Sequence, residues 1–433
     1  MEVAALYEIF KQHPNITTDS RNCPEGSVFW ALKGESFNGN DFAAKALAAG
    51  CAYAVVDEPG AADLSDERYL LVDDSLKALQ ELANYHRRQF HIPVLQITGT
   101  NGKTTTKELI AAVLERKYQV LFTQGNLNNH IGVPRTLLRL NASHEIAVIE
   151  TGANHPGEIK FLTDIVEPDY GLITNVGMAH LAGFGSFEGV KRTKGELYDY
   201  LRNTGKPAFV HCPDENLQEM AAGLKQIPYA TEQAPENVPQ GELVGCDPFL
   251  TFRWKYQGNE FVVRTHLVGS YNLANMMAAV AVGLHFGVDS QDICAALAEY
   301  IPSNNRSQMQ DTAENHLVVD AYNANPTSMK AAIENFRLMQ NEPKMLILGE
   351  MKELGEASVA EHQKVVDQLV SAGFDKVWLV GGEFEKTENH FRQFHHVDEV
   401  VEELKQNKPK GYYILIKGSN GTKLFTLNSV TLL

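Results

Sequence analysis

The chain has 433 residues, with 38 Lys or Arg against 54 Asp or Glu, a formal net charge of −16. That balance opposes non-specific binding to nucleic acid or to an anionic membrane surface, while leaving room for a small anion held by backbone N–H groups. With 44% hydrophobic and 21% charged residues it reads as a folded globular chain, and at about 150 residues per domain its length suggests roughly three domains.

Residues 1–92 read as a small α/β domain. The opening MEVAALYEIFKQHPN carries Glu2 and Glu8 and no basic lead, unlike a signal peptide, and no run reaches the ~18 apolar residues that span a bilayer, so a cytoplasmic protein without membrane insertion is expected. VFWALKG (28–34) and AYAVVDE (52–58) read as strands, and NDFAAKALAAG (40–50) as a helix stopped by Gly50. A further helix around 75–90 runs out before Pro93, which restricts the residue ahead of it and marks a boundary. The cysteines, Cys23, Cys51, Cys212, Cys246 and Cys294, form no CxxC pair and suggest reduced thiols rather than a disulfide framework or a zinc site.

Residues 93–301 read as a central domain in which strands and helices alternate, the pattern of a parallel sheet covered on both faces. VLQIT (94–98) is an apolar run of the buried parallel kind, followed by a helix from Lys103 to about Arg116. YQVLFT, EIAVIET and DYGLITNV repeat the strand signal. Residues 228–266 change to turn residues and the segments FLTFRWKY and EFVVRTHL, which suggests a small antiparallel insertion. A long helix, YNLANMMAAVAVGLHFG, ends at Gly287. Residues 302–433 start a second alternating block, with LVVDAYN, KMLILGEM, KVWLVGG and YYILIKGS as strands of a separate, Rossmann-like α/β domain.

The sharpest local signal is QITGTNGKTTT (96–106), placed directly after a strand and before a helix. Gly99 and Gly102 permit a tight turn, with Thr100 and Asn101 between them and Thr105 just inside the helix. Lys103 offers a point charge to β/γ-phosphates and the Thr104 hydroxyl suits Mg²⁺. The usual wording, GxxxxGK[ST], wants Gly at position 97, where this chain has Ile97, so the loop is a variant, and a plain glycine turn is the competing reading. ATP with Mg²⁺ is the default nucleotide, although such loops serve switches, motors, kinases and ligases alike. Glu150 and His180 follow the ends of strands, where α/β sheets place their ligands. Asn272 and Asn275, three apart, share one helix face.

These residues, taken in order, resemble the Mur ligase family. The resemblance rests on TGTNGKTTT (98–106), NLNNHIGVPRTLL (126–138), ETGANHPGEI (150–159), TNVGMAHLAGFGS (174–186) and TKGEL (193–197). GSYNLANMMAAVAVG (269–283), NNRSQ (304–308), DAYNANPTSM (320–329) and LGEMKELGEAS (348–358) complete it, so that it covers nearly the whole chain. It implies three domains: one for a UDP-sugar peptide, one for ATP, and one that closes over both. It implies an amide ligase that phosphorylates a carboxylate with ATP and lets an amine attack the acyl phosphate. DAYNANP, with no DNPR-like motif, favours UDP-N-acetylmuramoyl-tripeptide and D-alanyl-D-alanine as the small-molecule substrates of a monomeric enzyme of cell-wall precursor synthesis. Another ligase of this superfamily with a different amine, folylpolyglutamate-type enzymes included, and a nucleotide-binding protein without ligase turnover stay open as alternatives.

By the same resemblance Lys103, His180 and Lys194 are catalytic, and Thr104, Glu150, His180 and Lys194 hold the metal, Lys194 as a carbamate. Gly99, Thr100, Asn101, Gly102, Lys103, Thr104, Thr105, Asn272, Asn275, Arg306 and Asp320 contact ATP. Ser20, Arg21 and Asn323 contact substrate, with Tyr322 and Asn325 nearby. Two departures stand out: Asn40 where the family often has His, and Asn420 where it commonly has Arg.

Overall fold

Five successive buried residues, Val94–Thr98, form a strand (β5 below) that divides between two compact units of the chain. The computed structural model describes residues 1–63, 65–303, 305–428 and 433. The first unit comprises residues 1–96, 118–152 and 160–169, and the second residues 97–117, 153–159 and 170–433.

In the first unit β1 (Ile16–Thr17), β2 (Val28–Trp30), β3 (Tyr53–Val56) and β4 (Tyr69–Leu71) pair in that order as a parallel sheet. The helix Ser75–Arg87 starts where the Asp74 side chain accepts the Lys77 N–H at 2.9 Å, which satisfies one of the donors a helix start leaves open. Its Leu79, Leu82 and Ala83 share a core with Val94 of β5 (Val94–Thr98), Leu121 of β6 (Val120–Phe122) and Ala147 and Ile149 of β7 (Ile146–Glu150). β6 and β7 pair parallel, and the Ala147 N–H donates to Pro93 O at 3.0 Å.

The second unit takes up the end of β5. There the Thr174 N–H donates to Thr98 O at 3.0 Å, just beyond β8 (Tyr170–Ile173), which runs parallel to β9 (Ala208–His211) and β10 (Gln226–Tyr229). The helix Phe187–Thr204 is capped by Ser186 and lays Leu197, Tyr198 and Leu201 onto Ile173, Ala208 and Val210. The expected central parallel architecture is therefore present, with one correction. Pro228 and Tyr229 belong to parallel strand β10, not to the antiparallel segment, which starts at β11. Pro228 fits there because β10 ends its sheet, where a missing N–H is tolerated.

β11 (Gln240–Cys246), β12 (Phe249–Tyr256) and β13 (Asn259–Val268) are antiparallel, with Leu250, Phe252 and Trp254 of β12 turned inward. They are not a free-standing insertion. β13 meets β14 (Gln308–Asp311) through Leu267 and Gln308, and a nine-stranded sheet continues through β15 (His316–Asp320), β19 (Tyr413–Lys417), β16 (Lys344–Gly349), β17 (Val377–Val380) and β18 (Arg392–Phe394). From β15 to β18 every pairing is parallel. Successive residues point to opposite faces: Leu346, Leu348 and Leu415 enter one core, and Met345, Ile347, Ile414 and Ile416 the other. Burial on both faces explains the unbroken apolar runs read in the sequence. Among the described residues no helix is long and apolar enough to cross a membrane.

Candidate functional site

The phosphate loop lies in the second unit, between Thr98 and the helix Lys103–Leu114. Gly99 has φ +143°, and a Cβ there would stand 2.0 Å from Thr174 Oγ1. Gly102 caps the helix with φ +78°, and its Cβ would stand 2.7 Å from Asn275 Oδ1. Both positions thus need glycine for conformation and for space. The Thr100 N–H donates to Asn175 O at 2.9 Å, and Thr100 Oγ1 accepts the Gly177 N–H at 3.0 Å. The Asn101 N–H donates to Asn175 Oδ1 at 3.0 Å, while Asn101 O accepts Thr174 Oγ1 at 2.6 Å and Asn175 Nδ2 at 3.0 Å. Lys103 Nζ folds back to donate to Gly99 O at 2.9 Å and Thr100 O at 3.0 Å. Thr104 and Thr105 are buried at the start of the helix. The loop is a preshaped concavity at a helix N-terminus, with an ammonium at its rim.

Asn275 and Asn272 brace this loop from behind. Thr106 Oγ1 donates to Asn275 Oδ1 at 3.0 Å, Asn275 Nδ2 to Asn272 Oδ1 at 2.8 Å, and Asn272 Nδ2 to Val268 O at 3.0 Å. Both asparagines are buried.

Lys194 lies inside the same unit, 2% exposed, with Nζ 5.3 Å from the Phe184 ring centroid. Burial pushes its ammonium down to about 7, and the positive charge of Lys103 pushes the same way. His180 also approaches Phe184, edge to face, with ring centroids 6.2 Å apart. His180 has φ +51° and starts the short helix Leu181–Phe184. Its Nδ1 lies against the Glu353 carboxylate, which holds that carboxyl below its usual range. The Ala182 N–H donates to Glu353 O at 3.1 Å, so backbone and side chain of Glu353 both engage this turn. Glu353 sits inside a quoted motif, yet nothing in the sequence gave it a role.

The C-terminal strands supply the remaining groups. The Arg306 guanidinium stacks 3.8 Å from the Tyr322 ring centroid, between Asn305 and Ser307, both with positive φ. Asn304, the first residue of NNRSQ, lies outside the described residues. Asp320 Oδ2 accepts Lys417 Nζ at 2.6 Å, and Lys417, 1% exposed, also donates to Asn323 O at 3.2 Å. The Asn323 side chain is exposed and accepts the Ala324 N–H at 2.8 Å. Asn325 Nδ2 donates to Asn101 Oδ1 at 2.6 Å.

The first unit holds the other expected residues. Glu150, fully buried at the end of β7, accepts Asn128 Nδ2 at 2.8 Å, and its N–H donates to Thr123 Oγ1 at 2.9 Å. Arg21 is exposed and grips Asp19 with Nε at 2.9 Å and Nη2 at 2.8 Å, holding that carboxyl at about 2. Ser20 is half-buried beside it.

The donor chemistry in the second unit fits Mg²⁺ on one condition. The Thr104 hydroxyl is a hard oxygen donor and the His180 nitrogen a weaker partner for Mg²⁺, while an amine at Lys194 is no ligand for a hard cation; its carbamate, with two oxygens, would be. A depressed lysine is the form able to take up CO₂.

Comparison with known proteins gives three consecutive matches. Residues 14–87 match the model of the Mur ligase family catalytic domain, residues 97–283 the Mur ligase middle domain, and residues 305–420 the Mur ligase glutamate ligase domain. The chain is 35% identical over 420 residues to the UDP-N-acetylmuramoyl-tripeptide–D-alanyl-D-alanine ligase of Bacillus subtilis, covering 94% of this chain and 91% of that one. A crystal structure of MurF from Acinetobacter baumannii superposes with a TM-score of 0.86 at 32% identity, covering 98% of this chain and 97% of that one. MurF ligase from Thermotoga maritima, solved in complex with ADP, superposes with a TM-score of 0.83 at 27% identity over 96% of each chain.

Proposed function

The chain belongs to the Mur ligase family, and on that footing we infer that it joins D-alanyl-D-alanine to UDP-N-acetylmuramoyl-tripeptide with ATP, in peptidoglycan precursor synthesis. The γ-phosphoryl group of ATP passes to an oxygen of the tripeptide's terminal carboxylate, and ADP leaves. The dipeptide's amine nitrogen then attacks the acyl carbon. A C–N bond forms, the C–O bond to phosphate breaks, and the amine loses a proton.

The chemistry brings a carboxylate against a triphosphate, so cationic groups must offset the repulsion. The observation that carries the reading is the coupling of Lys103 and Lys194. One lysine sits at the rim of the phosphate loop, and a second is buried in the same unit, its ammonium lowered chiefly by burial and further by the charge of Lys103. When nucleotide enters, Lys103 exchanges the Gly99 and Thr100 carbonyls for phosphate oxygens, and the N-terminus of the helix Lys103–Leu114 faces the same anion, while the Thr100 and Asn101 N–H groups stay on Asn175.

Beyond this, we propose that Thr104, His180 and a Lys194 carbamate hold Mg²⁺, which when bound neutralises charge on the transferred phosphoryl group. The contact of His180 Nδ1 with Glu353 supports this, because it leaves Nε2 for a ligand. We read Asn272 and Asn275 as supports of the ATP loop, Arg306 and Asp320 as ATP contacts, and Ser20, Arg21 and Asn323 as substrate contacts. The three matched stretches support a division near residues 92 and 301. Water-soluble substrates and a need for ATP support a place in the cytoplasm, and we propose a monomer.

The test is phosphate release from ATP with UDP-linked tripeptide, with and without D-alanyl-D-alanine. Release that depends on the dipeptide is expected. Release with another amine alone reassigns the substrate, and no release with any amine overturns the ligase reading. ¹³C-bicarbonate NMR on wild type and Lys194→Met tests the carbamate: a labelled resonance absent from the variant is expected, and its absence from both removes the modification.

A further inference from the structure

Asp320 and Lys417 stand opposite each other in register, at the ends of the parallel strands β15 and β19. The residues before them, 317–319 and 414–416, are buried and apolar, and at this one level both strands turn from apolar to charged. Register partners in a ladder project to the same face of the sheet, so the two side chains lie side by side. Lys417 Nζ donates to Asp320 Oδ2 at 2.6 Å, and a second donation, to Asn323 O at 3.2 Å, ties the same ammonium to the turn that follows β15. The Lys417 side chain is 1% exposed, too deep to meet a ligand itself, whereas that of Asp320 is 16% exposed. An ammonium in a sheet core carries a desolvation cost that an apolar side chain of the same length avoids, so packing alone does not account for it.

The pairing limits what Asp320 can do. Oδ2 is occupied, and among the described residues no donor reaches Oδ1. A carboxylate oxygen only accepts. The donors that ATP carries are its ribose hydroxyls and its adenine amine, while its phosphates repel a carboxylate. The ammonium of Lys417 cancels most of that repulsion and leaves one oxygen able to accept. The bond to Asn323 O holds the turn 321–325, whose last residue, Asn325, reaches Asn101 of the phosphate loop at 2.6 Å. Resting on the reading of Asp320 as an ATP contact, we propose that Lys417 is a positioning residue for ATP, aiming Asp320 Oδ1 at a ribose hydroxyl and fixing the turn that braces the phosphate loop. A strand-end carboxylate of an α/β sheet is suited to a ribose hydroxyl. The assignment carries a specificity: a nucleotide without that hydroxyl leaves Asp320 unanswered and gains nothing from the lysine behind it.

The experiment compares ATP with 2′-deoxy-ATP and 3′-deoxy-ATP in the phosphate-release assay, with UDP-linked tripeptide and dipeptide saturating, for wild type and for Lys417→Met, which nearly keeps the length of the side chain. Wild type is expected to favour ATP over one of the two analogues by about tenfold or more in kcat/KM, the effect of one charge-assisted hydrogen bond. In the variant KM for ATP should rise and this ratio should fall toward one. A lysine that only supports the fold lowers turnover with all three nucleotides alike, so a ratio unchanged by the substitution overturns the proposal. Should the variant not fold, the lysine side-chain resonances of ¹³C,¹⁵N-labelled wild type decide it. ADP should shift the Cε and Nζ resonances of Lys417, and the deoxy form that lacks the discriminating hydroxyl should shift them much less; equal shifts overturn it. Wild type that uses all three nucleotides equally withdraws Asp320 as a ribose contact and the proposal with it, a result distinct from a wild type that discriminates without help from Lys417.

Discussion

Asn325 donates its side-chain amide to Oδ1 of Asn101 at 2.6 Å, and the same Asn325 caps the helix Pro326–Leu338 by accepting the Ser328 N–H at 2.9 Å. One residue thus fixes a helix start and the tip of the phosphate loop. Asn325→Asp separates the two: a carboxylate keeps the cap but loses the short bond to Asn101 Oδ1, leaving only the long 3.5 Å bond that Asn101 Nδ2 donates to this side chain. Its melting temperature should stay near wild type while KM for ATP rises about fivefold, the effect of losing a hydrogen bond of ~1 kcal/mol. Asn325→Ala should lose both, with ~1 kcal/mol of stability gone as well. Unchanged KM in Asn325→Asp would show that the loop holds its shape without this contact.

Lys103→Met should leave the melting temperature almost unchanged and lower kcat for phosphate release by about a thousandfold, since a charge placed for the transferring phosphoryl group is worth several kcal/mol. The same substitution should raise the pKa of Lys194, because one of the influences holding it down is gone. Single-turnover phosphate release and the pH profile of ¹³C-methylated lysine resonances measure the two effects.

In the protein freed of CO₂ and metal, where Lys194 is an amine and not the proposed carbamate, this residue also makes stability depend on pH. Its ammonium is held at about 7 in the fold, chiefly by burial, against about 10.4 in an unfolded chain. Between those values the unfolded chain binds the proton and the folded one does not, so stability should climb from pH 7 to about pH 10. The contribution is whole above the unfolded value and lost as pH falls through the folded one. Lys194→Met should flatten this slope and be the more stable protein at pH 7 by a few kcal/mol, read from urea midpoints across the range. A wild-type slope equal to the variant's would contradict a lysine buried as an amine.

His362 sets an acid limit on the segment that carries Glu353. Burial lowers its pKa, and its Nε2 must stay unprotonated to accept the Met351 N–H. Its stabilising effect is complete above about 6.5, the ordinary histidine value, and declines as pH falls below it. Protection of the 351–358 amides, measured against their intrinsic exchange at each pH, should fall between pH 6.5 and 5 in wild type. In His362→Gln, whose amide oxygen can still accept that bond, the loss of protection should be much smaller.

Local chemistry was readable from the sequence. The Gly99–Gly102 turn, the strand before it and the helix after it depend on neighbours a few residues apart, and each stands where the pattern put it. The inward alternation of Leu250, Phe252 and Trp254 is of the same kind. Glu353 and Asn325 were not readable as partners of His180 and Asn101, because no periodicity links residues that only folding brings together. β14 and β18 escaped notice because strands of three or four residues carry too little pattern. Lys194 was separable from its neighbours Lys191 and Arg192 only through the family motif; its burial is what sets it apart from them in the fold.

The join between β13 and β14 has a mechanical meaning. Among the described residues Leu267 pairs with Gln308 where the antiparallel hairpins meet the strands beyond, the Val268 N–H donates to Ser307 O at 3.1 Å, and Val268 packs into the apolar core beside Val318 and Leu346. A ladder of many rungs locks direction, but oily contact has none. The seam is held by apolar packing as much as by its few rungs, so its strength rests on side chains such as Val268 and not on the backbone ladder alone.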